Sequence, residues 1–198
     1  MGLVVLVSGG VDSSVISLLA ASQGVPTYPL FVDYGQLCVE REWSACVGIH
    51  KANSLPDPMR MNLAGFGQTV PSGLTCSSLD IVAEAFLPCR NLLFAVCGAA
   101  YAQSKGVSCV ALGLIDESEA IFPDQTSQFI EAAEKAVSLA TGRLIRVIAP
   151  LHTLSKAEVL AVASQLGLQD TYSCHRGAAE PCGKCISCIE RIHASKSK

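Results

Sequence analysis

The stretch Val4–Ala20, VVLVSGGVDSSVISLLA, passes from an apolar strand through two glycines directly into a helix. A strand that feeds a helix in this way must cross over to a neighbouring parallel strand, because the helix has to pack back onto the sheet. The rest of the chain repeats the alternation. Hydrophobic periodicity places strands at 3–7, 27–32, 108–113 and 144–148, with a weaker one at 58–62. Helices are expected at 12–22, 38–52, 91–105, 126–140 and 155–166, where apolar residues recur at three- and four-residue spacing. The strands are short and rich in Val, Leu and Ile, as strands buried on both faces are. The pattern predicts an α/β fold: a parallel five-stranded sheet with helices on both faces and its ligand site beyond the carboxyl ends of the strands. Residues 64–88, mixed and rich in Gly and Ser, read as a long loop over that site.

The chain has 198 residues, half of them apolar, enough for one large core with at most a small appendage. Two segments are expected: a catalytic domain at 1–170 and a C-terminal metal-binding segment at 171–198. With 14 basic against 17 acidic residues, the formal charge of −3 offers no basic field for nucleic acid, so direct nucleic-acid binding is not expected. The strand begins almost at once, with no basic leader and no apolar run of membrane-spanning length, so a soluble cytoplasmic protein is expected.

Ser8-Gly9-Gly10-Val11-Asp12-Ser13-Ser14 occupies the first strand-to-helix turn, where backbone N–H groups point at an anion. Glycines let the backbone approach phosphate, serine hydroxyls add donors, and Asp12 can hold a phosphate-bound Mg²⁺. Neither the P-loop pattern G-x-x-x-x-G-K-[ST] nor a G-x-G-x-x-G follows the strand. The same residues could form an ordinary helix entry capped by Asp or Ser. S-G-G-x-D-S resembles the pyrophosphate loop of ATP pyrophosphatases, which cut ATP between its α and β phosphates. That cleavage asks for a cation near the departing pyrophosphate. Lys156, at the start of the last helix with Ser155 as its cap, is the candidate; a plain first-turn lysine is the other reading.

Ten cysteines divide into scattered ones, such as Cys38, Cys46, Cys97 and Cys109, and a cluster near the end. Cys174, Cys182, Cys185 and Cys188 follow C-x7-C-x2-C-x2-C, which fits a closed tetrahedral Zn²⁺ site of structural type. An iron–sulfur cluster uses similar runs and stays open. Disulfides suit a cytoplasmic chain less well, and His175 reads as a bystander.

The loop, VDYGQ (Val32–Gln36), LPCRNLLF (Leu87–Phe94), FPD (Phe122–Asp124), PLHTLSKAEV and the four cysteines occur in one order along the chain. Together they resemble the 7-cyano-7-deazaguanine synthase family, from Leu3 to about His193. The resemblance implies ATP, Mg²⁺ and Zn²⁺ as cofactors and a homodimer. It implies a reaction in which 7-carboxy-7-deazaguanine and ammonia give a nitrile, with ATP consumed at each of two activations. Val7, Ser8, Gly9, Gly10, Val11, Asp12, Ser13, Ser14, Asp33, Gly113 and Lys156 are then expected around the nucleotide. Arg90, Asn91, Phe122 and Asp124 are expected around the substrate, and Asp12, Lys156 and Arg90 are the catalytic candidates. Asp124 would meet the polar edge of the base. Arg90 could instead be a surface helix-start residue, and Asp33 a turn former.

The match departs in one place. Members typically read D-x-S-G-Y-P-D-C-R where this chain reads SEAIFPDQT (Ser118–Thr126). A hydroxyl, a glycine and a guanidinium are lost, which changes the hydrogen bonding available to a bound base. Relatives of such synthases occur in bacterial antiviral loci, so a variant that passes the activated deazaguanine to a protein amine is a second expectation. A tRNA thiolase also joins a pyrophosphate loop to C-x2-C cysteines, but the −3 charge offers no RNA-binding surface. A non-enzymatic zinc adaptor would leave the loop without a purpose.

Overall fold

The computed structural model describes residues 2–196, without the side chains of 195 and 196. Five strands, β1 (Leu3–Leu6), β2 (Thr27–Asp33), β3 (Met59–Asn62), β4 (Cys109–Ala111) and β5 (Arg146–Ile148), form one sheet in the order β3-β2-β1-β4-β5. Every pairing is parallel, so the expected fold class is the observed one. The weaker signal at 58–62 is a full member of the sheet. It lies on the edge, where Arg60 and Asn62 suit a strand with one unpaired side.

The helices are α1 (Val11–Ser22), α2 (Val39–Ala52), the single turn α3 (Gly65–Thr69), α4 (Arg90–Ser104), α5 (Ser127–Thr141), α6 (Lys156–Gln165) and α7 (Ile186–Lys196). The strand period of two sorts β1 between two cores. Val4 and Leu6 face one layer, where Ala95 and Ala99 of α4 and Val137 of α5 pack. Leu3, Val5 and Val7 face the other, with Val15 of α1, Cys46 of α2 and Val159 of α6. Two of these helices, α3 and α7, go beyond the five expected; the four cysteines point the tail toward a metal site and mask the helical spacing of ISCIERIHASK. Residues 64–88 fold over the carboxyl ends of the strands, as expected of them, with Leu74, Ile81, Ala85 and Leu87 buried. Among the described residues, no helix is long and apolar enough to cross a membrane. The last two residues of the expected segment 171–198 lie outside the described residues.

Chains part at β1: β2 lies on one side and β4 on the other. In open parallel sheets this switch point leaves a crevice between diverging loops. A cavity of about 270 Å³ opens there, lined by the loop after β1, the ends of β2 and β4, the start of α4 and the tail.

Candidate active site

The loop after β1 is built so that its backbone amides stay available. Gly9 has φ 76, a left-handed conformation that costs other residues about 1–2 kcal/mol. A Cβ there would stand 2.5 Å from the Glu42 carbonyl oxygen and 2.8 Å from the Cys46 nitrogen, so glycine also lets α2 sit against the loop. Gly9→Ala is therefore expected to lower thermal stability and to push α2 off the loop. A thermal melt together with nucleotide titration checks this, with binding weakened at least about tenfold, the equivalent of roughly 1.4 kcal/mol. Gly10 ends extended, and no side chain caps α1, contrary to the plain helix-entry reading. Its first-turn amides lack intrahelical acceptors, and Val11, Asp12 and Ser13 line the cavity.

The hydroxyls shape the turn. Ser13 Oγ accepts from Ser8 N–H (3.2 Å), Ser8 Oγ accepts from Gly10 N–H (3.3 Å), and Ser14 Oγ donates to the Gly10 carbonyl (2.7 Å). Ser8, Gly10 and Ser13 line the cavity with Val7, whereas Gly9 and Ser14 lie behind the turn and support it. Gly113, just beyond β4, faces the loop from across the crevice. A Cβ on it would lie 3.4 Å from the Ser13 nitrogen, in the space the loop amides look into.

Lys156 Nζ reaches both oxygens of Asp12, at 2.8 and 2.7 Å, and the lysine is only 8% exposed. Helix α6 delivers it. Ser155 caps α6 and forms a reciprocal box with Glu158, as the sequence suggests. A cation in a first helical turn is mildly disfavoured, and the Glu119 carboxylate, accepting Lys156 N–H at 3.2 Å, offsets that. A second cavity of about 80 Å³ adjoins this pair, lined also by Asp116, Glu119, Gln125 and Glu190. Burial pushes the Glu190 carboxyl up, against the pull of Lys156.

Arg90 opens α4, held there by Cys89, whose φ of 63 is uncommon for a non-glycine residue. Its guanidinium carbon lies 5.8 Å from the Tyr34 ring centre and 5.9 Å from that of Phe94, and its Nε is buried without a partner. Arg90 lines the cavity and is no surface residue. Asn91 beside it donates from Nδ2 to the Asp124 carbonyl (2.9 Å) and from its backbone to Asp124 Oδ2 (3.3 Å). Asp124, 9% exposed, is thereby turned toward the start of α4 and is absent from the cavity lining; its Oδ1 has no partner. Phe122 does line the cavity, its ring 5.2 Å from that of Phe86. Asp33 lies outside it, paired with Arg60 at 2.8 Å and accepting from Gly35 N–H, which fits its turn-forming reading.

Among the lining residues to which the sequence reading gave no role are Gln36, Glu42 and Tyr172. Gln36 Oε1 accepts from Tyr34 N–H (2.9 Å), and Gln36 Nε2 donates to Glu42 Oε2 (2.9 Å), so the two side chains form a fixed pair on the cavity wall. Burial raises the Glu42 carboxyl, and the bond from Gln36 opposes it. Glu42 was invisible because an acid in the first turn of a helix reads as an ordinary answer to the helix dipole. Tyr172, third of these, sits on the tail and donates its backbone N–H to the Gly9 carbonyl (2.9 Å).

The four tail sulfurs lie within 4.8 Å of one another, with Cys182 and Cys188 at 4.0 Å. A tetrahedral zinc with bonds of about 2.3 Å sets its sulfurs about 3.8 Å apart, so the set fits that ion with little adjustment. The N–H groups of Lys184 and Cys185 point at Cys182 Sγ. Burial pushes that thiol up, but these donors outweigh it and bring it down to about 6, toward the thiolate a metal needs. His175 is not among the clustered ligands; it lines the cavity.

The parallel five-stranded sheet, the uncapped amide loop at its switch point and the cysteine cluster make this an α/β protein with a PP-loop-like fold. The chain belongs to the QueC family: the family model described as queuosine biosynthesis protein QueC matches residues 2–198. A 7-cyano-7-deazaguanine synthase of Acetivibrio thermocellus is 31% identical over 208 residues, covering 98% of this chain and 92% of that protein. A 7-cyano-7-deazaguanine synthase 2 of Desulfitobacterium hafniense is also 31% identical, over 96% of this chain and 86% of its own length. The fold alone is shared with NMN synthetase from Francisella tularensis, at a TM-score of 0.55 and 19% identity, over 90% of this chain and 68% of that one.

Proposed function

We propose that the protein is an ATP-dependent carbon–nitrogen ligase that activates 7-carboxy-7-deazaguanine and carries it, with ammonia, to the amide and then the nitrile. The observation that carries this reading is the Lys156–Asp12 pair set against the uncapped loop amides, in a chain of this family. In the first activation the substrate carboxylate attacks the α phosphorus of ATP and pyrophosphate departs. Ammonia displaces AMP from the acyl carbon to leave the amide. In the second the amide oxygen attacks the α phosphorus of another ATP and pyrophosphate departs; loss of AMP and of both protons on the nitrogen then leaves the nitrile.

The chain's own part is to hold charge in place. Amides of Val11, Asp12 and Ser13, with the Ser8 hydroxyl, bind the phosphates, and Lys156 meets the charge that grows on pyrophosphate. Asp12, with Glu190 across the small cavity, supplies the oxygen ligands that Mg²⁺ prefers, and the ion when bound neutralises phosphate charge. Arg90, between two aromatic rings in the same cavity, is placed for the carboxylate of the substrate. Zinc held by Cys174, Cys182, Cys185 and Cys188 orders the tail and takes no part in bond making.

A specific feature favours a second reading, in which the amide is the end point or is passed to a protein amine. Gln125 and Thr126 stand where members carry Cys and Arg, and both are occupied in shaping the loop. Gln125 Oε1 accepts from the N–H of Ile121 and of Phe122 (2.8 Å each), and Thr126 Oγ caps α5 by accepting from Phe129 N–H. Ile121, 51% exposed, adds an apolar side chain to the lining where members have glycine. Fewer donors are left to steady the amide for its second activation. The purified protein with 7-carboxy-7-deazaguanine, ATP, Mg²⁺ and ammonia is expected to release pyrophosphate and to accumulate amide ahead of nitrile, followed by mass spectrometry over time. Rapid nitrile without amide would make it an ordinary synthase. Absence of pyrophosphate release would end the deazapurine assignment.

A further inference from the structure

We propose that Glu42, fixed by Gln36, is the acceptor that reads the donor edge of the base, the role the sequence suggested for Asp124. The inference rests on the deazapurine reading above and names the group that enforces it.

A 2-amino-4-oxopyrimidine ring presents two adjacent donors, its ring N–H and its amino group. A carboxylate matches them with two oxygens, and such charge-assisted bonds are the strong ones. Three carboxylates line the main cavity: Asp12, Glu42 and Glu190. Asp12, paired with Lys156, and Glu190 line both cavities and are assigned above to the metal on the phosphates. Asp124 faces away, into the start of α4. Glu42 remains. Its carboxyl takes a bond from Gln36 on Oε2 and another from the Cys38 thiol; with two lone pairs on each oxygen, acceptor sites still remain for a ligand.

The surroundings suit a flat aromatic guest. The tilted Tyr34–Phe94 pair, with ring centres 5.5 Å apart, and Phe122 line the same cavity, and bases removed from water are held by such rings while a polar edge is read by hydrogen bonds. The anchor is also rigid. Gln36 is itself held by Tyr34 N–H and holds the Glu42 carboxyl, and the Glu42 backbone carbonyl packs where only Gly9 fits, so the turn of α2 that carries Glu42 is fixed against the loop. Base recognition and phosphate binding thus share one helical turn of α2.

The test compares 7-carboxy-7-deazaguanine with its analogue lacking the 2-amino group, by pyrophosphate release. Removing a donor that a buried acceptor needs leaves that acceptor unpaired, so the wild-type protein is expected to favour the amino substrate by at least about 100-fold in kcat/KM. Glu42→Gln, which turns an NH₂ toward the base, is expected to cut that preference below about tenfold. ATP affinity should stay within about threefold, which a role confined to supporting the loop would not allow. Glu42→Asp, which withdraws the carboxylate by one methylene, should fall between the two and serves if the first variant does not fold. Equal use of both bases by the wild-type protein overturns the assignment of Glu42 while leaving the deazapurine reading intact. A loss in both variants that is the same for both bases does so too. Failure of the wild-type protein to release pyrophosphate with either base overturns the deazapurine reading and this assignment with it.

Discussion

Lys156→Ala is expected to slow pyrophosphate release by about three orders of magnitude, roughly 4 kcal/mol, the scale on which a single preorganised charge-stabilising donor acts. Two losses combine. The departing pyrophosphate loses its nearest cation, and Asp12 is left with both oxygens unpaired beside the phosphate loop. Lys156→Arg restores the charge but not the reach, and should recover only part of the rate. Asp12→Ala is expected to cost several kcal/mol in the same assay while leaving the fold near intact, because the metal-holding carboxylate goes and the lysine loses its anchor. Since the two residues act as a unit, the double variant should be little worse than either single one. Single-turnover measurements on folded protein, checked by circular dichroism, decide this. A rate within threefold of the parent for either single variant would remove the pair from the chemistry.

Loss of metal is the second large effect. One zinc per chain should co-purify with a colourless protein, and a brown protein with visible absorption would replace zinc with an iron–sulfur cluster. Cys185→Ser, at a fully buried ligand, should abolish metal retention. Because metal binding and tail ordering are coupled, residues beyond about 170 should then become sensitive to protease while the helical and strand signal of the sheet persists. Pyrophosphate release should fall to background, since Tyr172, Ser173, His175, Ile186, Ser187 and Glu190 all line the cavity. A metal-free variant that kept its activity would show that the tail does not complete the site.

The fold was legible because hydrophobic periodicity, glycine turns and strand length all agreed; the edge strand was faint because Met59-Arg60-Met61-Asn62 is only four residues long and carries polar residues on one whole face. The place of the glycine loop after β1 and the clustering of the cysteines were legible as well, since each depends on residue types at fixed local spacing. What local spacing cannot encode is which way a side chain turns. Asp124 and Asp33 were reasonable candidates from their neighbours, yet one is drawn to the backbone of Asn91 and the other to Arg60. Glu42 reaches the cavity only because Gly9 admits α2 against the loop, a contact between residues 33 positions apart that no short motif records.

The bond from Tyr172 N–H to the Gly9 carbonyl ties the tail directly to the loop after β1. The four cysteines able to hold an ion lie in that same tail, which also lines the cavity. Under the proposed function, zinc supply is therefore expected to govern a loop that the zinc does not touch: protein prepared without zinc should keep its sheet but release little pyrophosphate, and added zinc should restore release without new protein being made.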